Sequence, residues 1–312
     1  MTAYRLRSGS SISIDMGRLP AERQEAADKY DITAEQCDAL FAAIQVNDDV
    51  HLDAVPPETM HLDYAPEQFE RSFMLARRLW DVGVHRDALI HLAAKLTLGG
   101  RLEQADMKEF KDIRARFKQL RFASMIFDET HHYSPALHQF TKTMGHLQDA
   151  LKNGRRLGVA VRAVALRVLL THIAFRRMKR GLDRFRPSSQ PDFRAYVNGE
   201  LDAIRAFLAK PEVTGKEFHE VRKVISRMMA IYNSMNTLYP SAYHRQITLF
   251  ISTINGMMGG MHDGMIERRL SGAQDYHAET FPLPPEIGQR LWRLERSLAD
   301  ACAPACQAAC SV

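Results

Sequence analysis

Cysteine is scarce in this chain of 312 residues: Cys37 stands alone, and Cys302, Cys306 and Cys310 crowd one end. That distribution excludes a disulfide framework, and three thiols without a nearby fourth ligand make a poor zinc site. Long apolar runs are missing too. The best, Val159–Leu170, is interrupted by Arg162 and Arg167. Nothing approaches the ~18–20 residues a bilayer requires, so no transmembrane segment is expected. No continuous apolar stretch follows Arg5 and Arg7, which argues against a secretory signal peptide. Alternating strand patterns are nearly absent, with Ser11–Ile14 the one short candidate. Glycine is dense over Gly256–Gly264, yet no Gly-Lys-Ser/Thr follows, which excludes a Walker loop. No Ser-His-Asp or Cys-His nucleophile arrangement stands out. The expectation is a soluble cytoplasmic protein without a cofactor.

Helical periodicity fills the space those absences leave. Thr33-Ala-Glu-Gln36 is a capping-box pattern opening a helix through Cys37, Leu40, Phe41 and Ile44. Residues 48–66, with Pro56-Pro57, read as a linker. Helices are then expected at about 67–82, 85–98, 105–128, 134–153 and 156–184. After the break at Pro187–Pro191 come about 192–209, 215–235, 241–268 and 284–300. The fold class expected is all-α. Residues 1–65 read as an N-terminal extension, 66–270 as the main helical domain with halves at about 66–155 and 156–270, and 271–312 as a tail with a short helix.

Charge is unevenly spread. Residues 1–100 carry 10 basic and 16 acidic side chains, residues 101–270 carry 29 and 16, and residues 271–312 carry 3 and 5. Within Lys152–Arg186 there are 11 basic residues and one acid, Asp183. Such an imbalance recruits polyanions and releases their counterions. On segment 110–127, Phe110, Ile113, Phe117, Leu120, Ser124 and Phe127 make one mostly apolar stripe. Lys111, Arg114, Lys118 and Arg121 make a second stripe beside it. Like charges three and four apart repel, so local stability does not favour this pattern, and an anion in front of the helix would explain it. Segment 218–232 repeats the theme: Val221, Ile225, Met228 and Tyr232 form a buried stripe, with His219, Arg222, Lys223 and Arg227 facing away.

Each of these helices leads to another bearing a similar phrase, Met144-Gly-His-Leu-Gln-Asp149 and Met258-Gly-Gly-Met-His-Asp263. The order, twice over, implies an internal duplication and two pseudo-symmetric halves. These residues resemble the conserved histidine α-helical domain (CHAD) family, whose halves each carry a His-x-x-Arg-x-x-x-Arg-Arg-Leu-Arg helix followed by Leu-Gly-x-x-x-Asp. The match runs through Phe218-His219, Arg222-Lys223 and Gly259 to Asp263, and through Lys111, Arg114, Lys118 and Arg121 to Gly145 and Asp149. Arg176-Arg177-Met-Lys179-Arg180 resembles the basic helix joining the halves. The likeness covers about residues 67–270. Lys111 departs from it, holding a permanent charge where the family has a titrating histidine. The resemblance implies a helical bundle binding inorganic polyphosphate in a shared basic cavity, in association with polyphosphate granules. Relatives are often fused to a triphosphate tunnel domain with a Glu-x-Glu-x-Lys signature, which this chain lacks, so the expectation is a non-enzymatic binder.

Two other readings compete. Nucleic acid could use the same helices, but its readers add stacking aromatics, and here the aromatics fall mainly on the apolar stripes. His262-Asp263, with His219 upstream, could suggest an HD-type metal phosphohydrolase, which needs a further histidine and a distal aspartate. His131, His132, His138 and His146 lack zinc spacing and read as surface or cap histidines, so no metal is expected.

Overall fold

Thr33 opens the first described helix by accepting from the Gln36 backbone N–H at 3.2 Å, while the Gln36 side chain accepts from the Thr33 N–H at 3.0 Å. This reciprocal cap starts α1, Ala34–Gln45. The computed structural model describes residues 31–302, so the Ser11–Ile14 alternation and Cys306 and Cys310 lie outside the described residues. The helices that follow are α2 (Pro66–Gly83), α3 (Arg86–Thr97), α4 (Gln104–Ile126), α5 (Pro135–Lys152), α6 (Arg156–Leu169), α7 (His172–Leu182) and α8 (Gln190–Leu208). Strand β1 (Val213–Thr214) precedes α9 (Gly215–Leu238) and α10 (Ala242–Leu270), then β2 (Thr280–Phe281) and α11 (Pro285–Cys302). The two short strands pair antiparallel, Val213 opposite Phe281. The fold is all-α.

The stripes expected from periodicity are the buried ones. Phe110, Ile113, Phe117, Leu120 and Phe127 of the α4 segment are buried, as are Val221, Ile225, Met228 and Tyr232 of α9. Packing α4 on α9 places these faces inside, and Gln119 Nε2 reaches Ser234 Oγ across the joint at 3.4 Å. Helix α5 lies against α4 and α10 against α9. The main apolar core runs from Met60 to Leu298, and Ile32, Cys37 and Leu40 at the start of the described chain form a smaller cluster with Leu75, Leu79 and Leu238. On α11, Ile287, Leu291, Leu294 and Leu298 are buried at helical spacing, each contributing roughly 1.5–3 kcal/mol of burial.

Two expectations need correction. The helix expected over 156–184 is two helices meeting at 68°. At the joint Thr171 has extended geometry with ψ 149°, and the Leu170 carbonyl accepts from Arg86 Nε at 2.7 Å rather than continuing the helical ladder. The segment read as a linker is strapped to the bundle. Asn255 Nδ2 donates to the Asn47 carbonyl at 2.9 Å, Ser252 Oγ to the Asp49 carbonyl at 2.8 Å, and Arg290 Nη1 to the Ala54 carbonyl at 2.8 Å. These side chains satisfy a backbone that has no ladder of its own. No single described helix is long and apolar enough to cross a membrane.

Candidate functional site

Phe110 and Phe218 occupy the same place in the two motifs, and both are fully buried. Each anchors its helix so that the residues following it emerge along the bundle face. Lys111 is exposed there, and His219 half-buried. One turn on, Arg114 and Arg222 make the same contact twice. A methyl group at Gly145 would sit 3.4 Å from Arg114 Nη2, and one at Gly259 would sit 3.1 Å from Arg222 Nη2. Each arginine therefore crosses the neighbouring helix at the glycine of its own Met-Gly-x-x-x-Asp phrase; a side chain would crowd Arg222 at Gly259, while at Gly145 it would meet Arg114 at ordinary contact distance. The Nε atoms of Arg114, Arg121 and Arg222 are buried and find no hydrogen-bond partner among the described residues.

Lys118 stands where the two stripes meet. Its side chain reaches water, yet protein surrounds the ammonium. That enclosure, followed by the guanidiniums of Arg114, Arg222 and Arg121, pushes its pKa down to about 8, with Asp48 opposing. Burial also lowers Arg114, against the pull of Asp149, and lowers Arg121, with Arg227 and Arg114 adding to the effect. Arg121 lies 5.0 Å from the Phe122 ring centre and 4.8 Å from that of Tyr133.

Behind Arg222 the histidines stack. The His219 and His262 rings are 4.7 Å apart, His262 Nδ1 is 3.4 Å from Arg222 Nη1, and its Nε2 is 3.1 Å from the Tyr276 hydroxyl. Burial first, then His219 and Arg222, depress the His262 pKa to about 4. His219 is lowered by burial and then by Lys223. Asp263 takes the Lys152 ammonium at 3.3 Å, and its own neighbour His262 stays 3.8 Å away. Among the described residues no group of three or more His, Cys, Asp or Glu converges on a point that could hold a metal.

The twelve cations singled out from the sequence thus separate. Arg114, Lys118 and Arg121 of α4 come together with His219 and Arg222 of α9. Arg227 turns to Glu200, with Nε at 2.7 Å and Nη2 at 2.6 Å from one carboxylate oxygen, and both side chains are largely buried. Lys223 pairs with Glu220. Helix α7 packs chiefly on α5 and α6. Its Arg176, Arg177 and Arg180 line a different cleft, of about 850 Å³, with His172 and Gln139. Lys179 pairs with Asp81 at 3.8 Å and lies 5.1 Å from the Trp80 ring centre. Two members of the basic face went unrecognised: His138 and Lys142 on α5. The His138 pKa is lowered by burial and then by Arg121, Lys142 and Lys223, so it faces both helices. Lys142, Gly145 and Asp149 step by three and four, a spacing that could have placed Lys142 on the glycine's face.

Compared with family models, with curated proteins and with solved structures, the chain matches none.

Proposed function

We propose that this protein is a non-enzymatic binder of inorganic polyphosphate, held in a basic cavity between two pseudo-symmetric helical halves of the CHAD type. One observation carries the reading: Lys118 feels the charges of Arg114, Arg121 and Arg222 from two helices at once, and the buried Nε atoms of those three arginines have no partner among the described residues. Folding brings these charges together against their mutual repulsion, and a polyanion offsets that repulsion when it binds. Polyphosphate carries about one charge per internal phosphate and no bases, so arginine forks and a lysine point charge suffice for its recognition. The paired contacts of Arg114 on Gly145 and Arg222 on Gly259 support the two-half arrangement. Cytoplasmic polyphosphate granules are the proposed location.

Nucleic acid is the less favoured ligand because the aromatics near the cluster are engaged. Arg121 covers Phe122 and Tyr133, and Lys118 lies 5.4 Å from the Phe122 ring centre. Rings covered by cations in this way are not free to stack on bases. The test is competition for labelled polyphosphate by RNA of matched charge. Polyphosphate affinity should fall on the order of 10²–10³-fold between about 50 and 200 mM salt if four to six phosphates are engaged. RNA should compete poorly; equal competition at equal charge would reassign the site to nucleic acid.

A further inference from the structure

We propose that α6 and α7 form a docking face for an anionic phospholipid surface, independent of the basic cluster on α4 and α9. Helix α6 is apolar on two opposite sides. Ala163 and Leu166 face the bundle and are buried. At ~100° per residue, Leu157, Val161, Val164 and Val168 fall within an arc of about 60° on the other side. They are 80%, 54%, 48% and 61% exposed. An apolar stripe of this length on a solvent face is unusual for a bundle helix, whose outer side is ordinarily polar.

What borders the stripe identifies its occupant. Arg155, Arg156, Arg162 and Arg167 are all exposed around it. Across the 68° bend, Ile173 is 83% exposed and shares the outward face of α7 with Arg176, Arg177 and Arg180. Residues 155–184 contain one acid, Asp183, and Arg77 holds it. An apolar stripe with arginine flanks is the pattern of a helix lying in a headgroup layer, its side chains reaching the acyl boundary while cations meet phosphates. Polyphosphate or nucleic acid would satisfy the arginines and leave Leu157 to Val168 in water. A second copy applying the same face would bring two arginine-rich surfaces together. An anionic bilayer meets both the apolar and the charged requirement. Neither helix alone is long enough to span, and although the bent pair together has the length and composition of a broken span, Ala163, Leu166, Phe175 and Met178 are buried in the bundle, which leaves only the outer side of each helix for the membrane surface.

The experiment is sedimentation of the full chain with phosphatidylcholine vesicles, with and without about one third phosphatidylglycerol. Binding is expected to the anionic vesicles alone. Replacing Leu157, Val161, Val164 and Val168 together by serine should weaken it by at least about tenfold while leaving polyphosphate affinity unchanged. These side chains are exposed, so the substitution removes no core packing. Hydrogen exchange of the unmodified protein provides a second reading, with α6 amides slowed by anionic vesicles. Unchanged vesicle binding by the serine variant would overturn the proposal, as would absence of α6 protection. So would a concentration-dependent dimer abolished by the same substitutions, which would assign the face to a second copy, or capture of an acidic peptide without vesicle binding. Loss of polyphosphate binding by an Arg114→Ala/Arg222→Ala variant bears only on the other site.

Discussion

Lys118 is the residue on which the electrostatics of the cluster turn. With its pKa near 8, it is about half protonated at about pH 8 in the free protein. A bound polyanion favours the charged form, so complex formation at that pH should take up as much as about half a proton. Calorimetry in two buffers of different ionisation enthalpy measures this uptake. Lys118→Arg should bind without it, because arginine stays charged throughout. Arg227 behaves differently, because its guanidinium is held by Glu200. Its partner Glu200 is buried with it, so Arg227→Ala leaves a buried carboxylate alone and should cost roughly 3 kcal/mol in chemical denaturation. A variant replacing both by apolar residues should recover most of that loss. His262 gives the pH dependence a sign. Its folded pKa of about 4 lies below the ordinary 6.5, so the unfolded chain gains a proton that the fold refuses. Its contribution is therefore complete above pH 6.5 and is lost as pH falls toward 4. The loss should approach roughly 3 kcal/mol. Denaturation midpoints at about pH 7 and pH 4.5 should diverge, and His262→Gln should narrow the gap.

Among the elements, α10 shows how much glycine placement matters. Gly256 faces the strap preceding α2, and a Cβ there would lie 2.1 Å from the Asp48 carbonyl oxygen. A backbone oxygen cannot swing aside as a side chain can, so Gly256→Ala should detach the strap and lower the melting temperature by several degrees, despite the gain in helix propensity. Gly145→Ala meets only the tip of Arg114 at ordinary contact distance and should stabilise the chain by up to about 1 kcal/mol. Neither effect could be read from composition, because both depend on which segment crosses each glycine. Helix extents were legible because their signals are local: the Thr33 cap, the apolar stripes of α4 and α9, and the proline break before α8. The 170–171 bend escaped notice because its cause is the distant Arg86 side chain bonding the Leu170 carbonyl. The strap escaped for the same reason, its hydrogen bonds coming from α10 and α11.

For the whole molecule, the charge map drawn from sequence survives but divides. The same block of positive charge supplies a cluster on α4 and α9 and a separate face on α6 and α7, a division that depends on helix packing rather than on order along the chain. The duplicated phrases were legible as pattern, and the structure adds what the glycines face: each lies against its own motif's arginine, tightly at Gly259 and at ordinary contact distance at Gly145. What stayed hidden was pairing. Glu200 and Asp81 withdraw Arg227 and Lys179 from the basic cluster, and no spacing rule connects those partners, whereas Glu220, three residues before Lys223, was readable as a helical pair. The central claim is that Arg114, Lys118, Arg121 and Arg222 form the polyphosphate site. Its most direct test is polyphosphate affinity, as a function of salt, for the wild type and for a variant with these four replaced by alanine. The account predicts a folded variant that has lost most of its affinity and salt slope, and whose melting temperature polyphosphate no longer raises. A folded variant that binds with unchanged affinity and slope would contradict it.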